Sequence, residues 1–256
     1  FKIILNDFIQ IKKVSDYENS IIMNCIKKYL SRFLNNFGYE IRKYSYKSSN
    51  IKEPFYHFRN FLNNNKKPVI FDVGAYVGDT VDLFKSSFNE SCIHAFEPFE
   101  KSFHSLNNRF GKTEGIFLNN IALSDFSGEK TQMYITKNKG SSSLLKPEKD
   151  ANTLWENDPL SIETELKVKT ETIDQYCQKN SIEKIDLLKI DVQGNEIKVL
   201  KGAERMLAKN KIKLIFTEIS VAPNYEGQSD IDELIRLLKI NKYKIFNFFK
   251  MKHRKG

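Results

Sequence analysis

The amino-acid sequence predicts an α/β fold, a doubly wound and mostly parallel sheet of the Rossmann-like type, with an N-terminal helical extension. Short apolar segments alternate with amphipathic helical segments from Pro68 onward, which is the pattern of repeated βα units. The first apolar segment runs directly into a glycine-containing turn, as in nucleotide-binding sheets. The first 50 residues lack this alternation. We therefore divide the chain into an extension, residues 1–54, and a main domain, residues 55–256.

One amphipathic helix is predicted within the extension. Its apolar residues recur at helical spacing, basic residues fall between them, and the pattern ends near Gly38. The apolar stripe consists of Ile22, Cys25, Ile26, Tyr29, Leu30, Phe33, Leu34 and Phe37. A stripe of this kind packs against the main domain, or it docks to a partner or makes a peripheral contact with a membrane surface. The sequence leaves these alternatives open.

Strands and helices alternate through the main domain. Five short apolar segments are predicted strands: Val69–Val73, Cys92–Phe96, Ile116–Asn119, Ile185–Val192 and Ile212–Ile219. Four segments between and after them have helical periodicity: Asp79–Phe88, Phe99–Phe110, Asn195–Lys209 and Asp230–Ile240. Strands that are connected through helices in this way pair in parallel, with right-handed crossovers.

A longer insert, Asp125 to Thr172, separates the third strand from the fourth. It holds a hairpin-like stretch, Glu129–Ile135, and a polar loop, Asn138–Ser143. Long loops beside a binding edge often serve as a lid or a substrate wall. A solvated connector would have a similar composition, so both interpretations stay open.

Composition and cysteine content narrow the class of protein. Lysine and arginine outnumber the acidic residues 41 to 32, for a net charge of +9, which favours anionic partners. Nucleic acid is not expected among them, because the lysines are scattered and no nucleic-acid-binding module is recognisable. Cys25, Cys92 and Cys177 are too far apart for a metal motif and too few for a disulfide framework. With neither a long apolar run nor a signal-peptide pattern, the sequence predicts a cytoplasmic protein.

The first chemistry-bearing motif is the turn Asp72–Thr80, which follows the first strand. Glycines let the backbone turn sharply and approach a ligand, and the next helix offers free N–H groups to a carboxylate or a phosphate. A dinucleotide fingerprint requires G-x-G-x-x-G, whereas Gly74 and Gly78 are separated by three residues and no third glycine follows. The same glycines would also suit a tight turn that binds no ligand.

Acidic residues stand at the ends of three further strands. Glu97 ends the second strand, where a carboxylate can accept both hydroxyl protons of a ribose. The alternative is an exposed glutamate before a helix that starts with proline. Lys189 and Asp191 share one face at the end of the fourth strand, as either a ligand-contacting pair or an ion pair that satisfies itself. Glu218 ends the next strand in the same way.

Taken in order, these motifs resemble the FkbM-type methyltransferase family. The resemblance covers about residues 55–250, and Lys189–Glu196 is its most specific part. The motifs are Phe71-Asp-Val-Gly-Ala-Tyr-Val-Gly78, Phe96-Glu-Pro98, Asn120-Ile-Ala-Leu-Ser-Asp125, Gly140-Ser-Ser-Ser-Leu144, Lys189-Ile-Asp-Val-Gln-Gly-Asn-Glu196 and Thr217-Glu218.

The resemblance implies a class I methyltransferase fold that binds S-adenosylmethionine (SAM). It places the turn after the first strand around the methionine part of SAM, Glu97 on the ribose, and the turn from Asn120 to Ala122 near the adenine. The implied cofactor-binding residues are therefore Asp72, Gly74, Ala75, Tyr76, Gly78, Thr80, Glu97, Asn120 and Ala122.

The resemblance also implies O-methylation of a hydroxyl of a sugar, glycan or related small molecule, as in the biosynthesis of surface polysaccharides. Methyl transfer needs positioning rather than a metal, and the four histidines are dispersed. A hydroxyl acceptor benefits from a general base, for which Asp191 is the first candidate and Glu218 the second. Asp191 could equally orient the donor.

Two departures and two rival functions stand beside this prediction. Tyr76 occupies a position where asparagine is common in the family, and the chain leaves little room for a final antiparallel strand. A NAD-dependent oxidoreductase could share the turn and the acid of the second strand, but should show three glycines. A non-catalytic scaffold module would keep the same fold pattern. Titration with SAM and then with NAD distinguishes these functions.

Overall fold

The computed structural model describes residues 2–6, 53–62, 65–155, 157–220, 222–228 and 230–249. The described residues group into one compact unit. The predicted amphipathic helix lies outside the described residues, so the alternatives for the extension remain open. The boundary at residue 54 also stays a prediction, although residues 2–6 form a strand of the main sheet.

The elements follow the predicted alternation. The strands are β1 (Lys2–Asn6), β2 (Val69–Val73), β3 (Cys92–Phe96), β4 (Ile116–Asn119), β5 (Ala122–Leu123), β6 (Gly128–Thr136), β7 (Ile162–Glu171), β8 (Ile185–Ile190), β9 (Ile212–Glu218) and β10 (Lys244–Phe249). The helices are α1 (Glu53–Leu62), α2 (Asp79–Ser87), α3 (Glu100–Phe110), α4 (Ile173–Lys179), α5 (Glu196–Lys201), α6 (Glu204–Ala208) and α7 (Ile231–Ile240).

The main sheet has the order β10-β1-β9-β8-β2-β3-β4, and its neighbouring strands run parallel. The strand order reverses beside β2, because β3 follows on one side and β8 lies on the other. This confirms the α/β, Rossmann-like prediction. The sequence analysis left little room for the final antiparallel strand of the family, and within the described residues β1 and β10 complete this edge of the sheet with parallel pairing.

Apolar side chains cover both faces of the sheet, as a doubly wound fold requires. Ile70 and Phe71, neighbours on β2, are both fully buried and belong to different hydrophobic clusters, because successive strand residues point to opposite faces. Ile70 packs with residues of α1, α2 and α3, and Phe71 packs with residues of α4 to α7. The central strands are therefore buried on both sides, and only their ends are available for a site.

The prediction of one helix over Asn195–Lys209 was wrong, because α5 and α6 are separate. The helix is interrupted at Gly202, where the backbone lies against Ser124. A Cβ atom at Gly202 would be 2.0 Å from the carbonyl oxygen of Ser124, so only glycine allows this approach. The break therefore fixes α5 against the segment that follows β5.

The insert forms a small sheet of its own, in the order β5-β7-β6. Strand β6 contains the predicted hairpin-like stretch, and it pairs antiparallel with β7, which the sequence analysis missed. The pairing of β5 with β7 joins this small sheet to the turn after β4. No helix in the described part of the chain is long and apolar enough to cross a membrane.

Candidate active site

A cavity of about 210 Å³ lies at the carboxyl ends of β2, β3 and β8. Its lining includes Gly74 after β2, Glu97 after β3 and Asp191 after β8. This is the edge at which parallel α/β sheets bind their ligands, and it is where the strand order reverses. Parallel pairing thus brings together three residues that are far apart in the sequence.

The turn after β2 brings the backbone close to the neighbouring strands. Gly74 has φ +78°, and the N–H groups of Gly74 and Ala75 donate to the carbonyl oxygen of Phe96 at 3.1 and 3.0 Å. A Cβ atom at Gly74 would lie 1.8 Å from the carbonyl oxygen of Asp191. Glycine is therefore needed here for the packing of backbone on backbone as well as for access by a ligand.

Tyr76 lines the cavity from a left-handed backbone conformation, with φ +50°. This conformation disfavours a bulky side chain and suits asparagine better. Asparagine is common at this position in the family that the sequence resembles. Tyr76 is 38% exposed, so it lies at the rim of the cavity.

Glu97 is buried in the cavity wall and held by two backbone donors. The N–H of Tyr76 donates to its Oε2 at 2.9 Å, and the N–H of Phe99 donates to its Oε1 at 2.8 Å. Burial raises the pKa of Glu97 to about 7, although these two hydrogen bonds and the charge of Lys189 oppose the rise. Each carboxylate oxygen can accept one further hydrogen bond, so Glu97 can accept two ligand hydroxyls in a fixed orientation.

A buried ion pair lies beneath the cavity. The Nζ of Lys189 is 2.9 Å from the Oδ1 of Asp72 and donates to the carbonyl oxygen of Gly74 at 2.8 Å, whereas it is 3.9 Å from the Oδ2 of Asp191. Burial lowers the pKa of Lys189, but the carboxylates of Asp72 and Asp191 raise it further, so the net direction is upward. The lysine is therefore a fixed positive charge, and its nearest partner is Asp72 rather than Asp191.

Gln193 connects the two predicted bases. Its Nε2 donates to the Oδ1 of Asp191 at 2.8 Å and to the Oε2 of Glu218 at 2.6 Å. Asp191 lines the cavity with its side chain 41% exposed, whereas Glu218 lines a smaller pocket on the far side of the amide. Only Asp191 is thus placed to meet a ligand in the main cavity.

The predicted polar loop forms one wall of this cavity. Lys139, Gly140, Ser142 and Ser143 are among its lining residues. The hydroxyl of Ser143 donates to the carbonyl oxygen of Gln193 at 2.7 Å, which fixes the loop to the turn after β8. This placement favours the substrate-wall interpretation over the solvated connector.

The structure brings together about half of the predicted site residues. Gly74, Tyr76, Glu97, Ala122 and Asp191 line the cavity. The others lie around the cavity. Asp72 lies beneath it, and Ala75, Gly78 and Thr80 belong to the turn after β2 and to α2. The amide of Asn120 donates to the carbonyl oxygens of Glu97 and Pro98, and Glu218 lies behind Gln193. Among the described residues, no group of three or more histidines, cysteines and acids is placed to hold a metal ion.

Three residues that were not predicted as site residues also line the cavity: Gln193, Ser143 and Asn195. Each lies inside a motif that carried the family resemblance. Their roles depend on contacts between distant segments, such as the 50 residues between Ser143 and Gln193, which no local pattern reveals.

A Rossmann-like sheet with a glycine turn, an acid after β3 and a second acid in the same cavity forms a site of the kind that binds nucleotide-containing ligands. Comparison with known proteins gives the family. The model of the methyltransferase FkbM domain matches residues 72–245, and the chain belongs to this family.

Two curated relatives agree with this assignment. The chain is 28% identical over 178 residues to the 2-O-methyltransferase NoeI of Sinorhizobium fredii (strain NBRC 101917 / NGR234), which covers 67% of this chain and 71% of the relative. It is 26% identical over 196 residues to the methyltransferase sdnD of Sordaria araneosa, which covers 67% of this chain and 75% of the relative. These similarities support a methyltransferase at modest identity.

Proposed function

We propose that this protein transfers a methyl group from SAM to a hydroxyl of a sugar, a glycan or a related small molecule. The observation that carries the proposal is the position of Asp191, which shares one cavity with the glycine turn and Glu97. A donor held by the turn and by Glu97 would thus place its reactive end in the same enclosed space as a carboxylate that can act as a base.

The lining residues fit SAM at the ribose position. Glu97 keeps one free acceptor position on each oxygen, which matches the two hydroxyls of a ribose. When bound, SAM would supply an electrophilic methyl group on a sulfonium.

Asp191 is the proposed base. The Nε2 of Gln193 donates to its Oδ1 at 2.8 Å, and the Nζ of Lys189 lies 3.9 Å from its Oδ2. Asp191 would take the proton of the acceptor hydroxyl as its oxygen receives the methyl group that bound SAM would supply. The substrate wall formed by Lys139–Ser143 would exclude water and present polar groups to the acceptor.

Hydroxyl methylation is supported by the name of one relative, a 2-O-methyltransferase, and by the cavity itself. Serine and lysine side chains in the wall suit an acceptor rich in hydroxyl groups. A part in polysaccharide biosynthesis and a cytoplasmic location belong to the same proposal.

Isothermal titration of the protein with SAM and then with NAD tests the donor assignment. We expect binding of SAM and negligible binding of NAD, and the reverse result would favour the oxidoreductase. Methyl transfer from isotope-labelled SAM to a panel of sugars, nucleotide sugars and oligosaccharides then tests the acceptor class. Binding of SAM without transfer to any hydroxyl in the panel would favour the non-catalytic scaffold. The Asp191→Asn variant is the negative control for transfer.

A further inference from the structure

Gln193 holds two carboxylates with one amide group. Its Nε2 donates one hydrogen to the Oδ1 of Asp191 at 2.8 Å and the other to the Oε2 of Glu218 at 2.6 Å. These two bonds use both hydrogens of the amide, and a charged acceptor makes such a bond stronger than a bond between neutral groups. The side chain of Gln193 is therefore fixed between Asp191, which follows β8, and Glu218, which ends β9.

The surroundings of Gln193 decide which end of its amide faces the carboxylates. The opposite orientation would set the amide oxygen against both carboxylates at once. On the other side, the hydroxyl of Tyr225 lies 3.3 Å from the Oε1 of Gln193. This hydroxyl stays protonated, because burial raises the pKa of Tyr225 above its ordinary value. The amide oxygen thus lies near a donor, and the amide nitrogen lies near two acceptors.

The backbone that carries Gln193 is fixed as well. Gln193 and Gly194 have left-handed backbone conformations, with φ +57° and φ +94°. Such a conformation costs free energy at a residue other than glycine, and it persists where surrounding contacts impose it. The hydroxyl of Ser143 donates to the carbonyl oxygen of Gln193 at 2.7 Å, and the N–H of Gly194 donates to the Oε1 of Glu196 at 3.2 Å. The substrate wall and α5 thus hold the turn from which the amide extends.

Asp191 needs such a contact, because its side chain is 41% exposed. An exposed carboxylate rotates readily about its last bond, whereas a base must keep one orientation relative to the acceptor. Lys189 does not provide that restraint, since its Nζ lies 3.9 Å from Asp191, beyond hydrogen-bond distance, and 2.9 Å from Asp72. Gln193 donates at hydrogen-bond distance, so it can fix the carboxylate.

Glu218 lies on the side of the amide away from the cavity. It lines a smaller pocket, whereas Asp191 lines the cavity together with the glycine turn and Glu97. A carboxylate that does not line the cavity is poorly placed to take a proton from an acceptor there. It is well placed to anchor the amide that meets Asp191.

We propose that Gln193 is the positioning residue for Asp191 during methyl transfer, and that Glu218 acts through Gln193 as the anchor of its amide. This inference rests on the proposed function, because it takes Asp191 as the base. It gives Glu218 an orienting role in place of the role of a second base. In catalytic triads, too, a third group orients the base.

The Gln193→Met variant removes both hydrogen-bond donors and keeps an unbranched chain of similar length. The assay uses isotope-labelled SAM and the sugar, nucleotide sugar or oligosaccharide that the wild type methylates fastest. The kcat should fall about 10- to 100-fold, while the affinity for SAM stays close to that of the wild type. An unchanged kcat would refute the inference.

The matched control is Gln132→Met. Gln132 also donates its amide to a carboxylate, the Oε2 of Glu165 at 2.7 Å, but at an exposed position outside the cavity. This control should keep the wild-type kcat. A loss as large as that of Gln193→Met would show that the effect does not come from the amide in the cavity.

A double-mutant cycle tests whether Gln193 acts through Asp191. If it does, Gln193→Met should cause little further loss in a protein that already carries Asp191→Asn, because the base that it orients is gone. Equal fold-losses in the two backgrounds would show that Gln193 contributes independently, to the fold or to ligand binding. That result would refute the positioning role.

Two variants of Glu218 distinguish an anchor from a base. Glu218→Gln keeps an oxygen that can accept from the amide of Gln193, so kcat should stay close to that of the wild type. Glu218→Leu removes the acceptor, so kcat should fall about as far as in Gln193→Met. A loss in Glu218→Gln as large as the 10²–10⁴-fold or so expected for Asp191→Asn would make Glu218 a base and overturn its role as anchor.

NMR spectra of the isotope-labelled protein test the geometry without any methyl transfer. The side-chain amide signals of Gln193 are assigned by their loss in Gln193→Met. Asp191→Asn should move the signal of one amide proton and Glu218→Leu that of the other, because each carboxylate holds one proton. Signals that respond to neither variant would refute the arrangement around Gln193. No transfer by the wild type to any acceptor would instead refute the proposed function, and with it a role for Gln193 in transfer.

Discussion

The buried pair of Lys189 and Asp72 offers a direct test of what holds the floor of the cavity in place. The side chain of Asp72 is fully buried and that of Lys189 is 6% exposed, with 2.9 Å between Nζ and Oδ1. Replacing Lys189 with methionine keeps an unbranched chain of similar length but removes the charge. The two oxygens of Asp72 make no other hydrogen bond among the described residues, so the carboxylate would stay buried without compensation.

The expected loss follows from the geometry. At an effective dielectric constant of about 20, two unit charges at this distance attract each other by about 6 kcal/mol. The desolvation of both ions offsets much of that attraction, but removing one partner leaves the other still desolvated. Lys189→Met should therefore lower the free energy of unfolding by about 3–5 kcal/mol. The double variant Asp72→Leu/Lys189→Met should recover most of this loss, because it leaves no buried charge.

Urea unfolding of the wild type, the two single variants and the double variant measures these differences as a double-mutant cycle. The matched control is Lys201→Met, because Lys201 pairs with Glu233 at 3.0 Å while both side chains are nearly half exposed. That exposed pair should contribute less than about 1 kcal/mol. A loss below about 1 kcal/mol for Lys189→Met, or a double variant as unstable as the sum of the singles, would refute the reasoning.

Three further predictions concern carboxylates around the cavity. Asp191→Asn should lower kcat by about 10²–10⁴-fold, because the variant lacks the proposed base. The melting temperature and the SAM affinity should change little, since Lys189 keeps Asp72 as its nearer partner. A wild-type rate would leave Glu218 as the candidate base. Glu97→Gln should weaken the binding of SAM by about 1.5–3 kcal/mol, measured by calorimetry. The affinity of the wild type for SAM should rise as pH increases through about 7, because the ionised carboxylate accepts both hydroxyls. An affinity that does not depend on pH would contradict this role.

Glu196, in the same group, has its pKa raised by burial from 4.5 to about 7. Its stabilising contribution is fully present below about 4.5 and lost as pH rises through about 7, because the folded state then holds an ionised buried carboxylate. Relative to Glu196→Gln, the wild type should lose about 3 kcal/mol of unfolding free energy across that range. Parallel curves of stability against pH for the two proteins would show that Glu196 does not titrate with folding.

The central strands were predictable because their signal is local. The bounds of β2, β3 and β4 match the prediction, since each is a short apolar run between polar turns. Strand β7 was not predicted, although Leu166, Val168 and Thr170 alternate with charged residues in the pattern of a half-buried strand. The break at Gly202 depends on a contact with Ser124, 78 positions earlier in the sequence, and has no local signal.

The charged residues also combine a local pattern, which the sequence reveals, with contacts between strands, which it does not reveal. The sequence placed Lys189 and Asp191 on one face of one strand, as either a ligand-contacting pair or an ion pair with each other. In the sheet, Asp72 lies directly opposite Lys189 in the register of β2 with β8, so the nearer partner comes from the neighbouring strand. Register between strands is decided by the assembled sheet, and no spacing within one motif reveals it. Gly74 is a second example, since a side chain at this position would collide with the backbone at Asp191, so that a substitution there would disturb the sheet as well as ligand binding.

The insert is fastened to the segment after β9. The hydroxyl of Tyr225 donates to the carbonyl oxygen of Ser141 at 2.7 Å, the indole N–H of Trp155 donates to the Oδ1 of Asn224 at 3.1 Å, and Lys146 pairs with Glu226. The insert and residues 222–228, about 80 residues apart in the sequence, therefore form one structural unit. To change which acceptor is methylated, the insert of another family member could be grafted onto this sheet. The segment that corresponds to residues 222–228 should be transferred with it, because either segment alone would lack these hydrogen bonds and this ion pair.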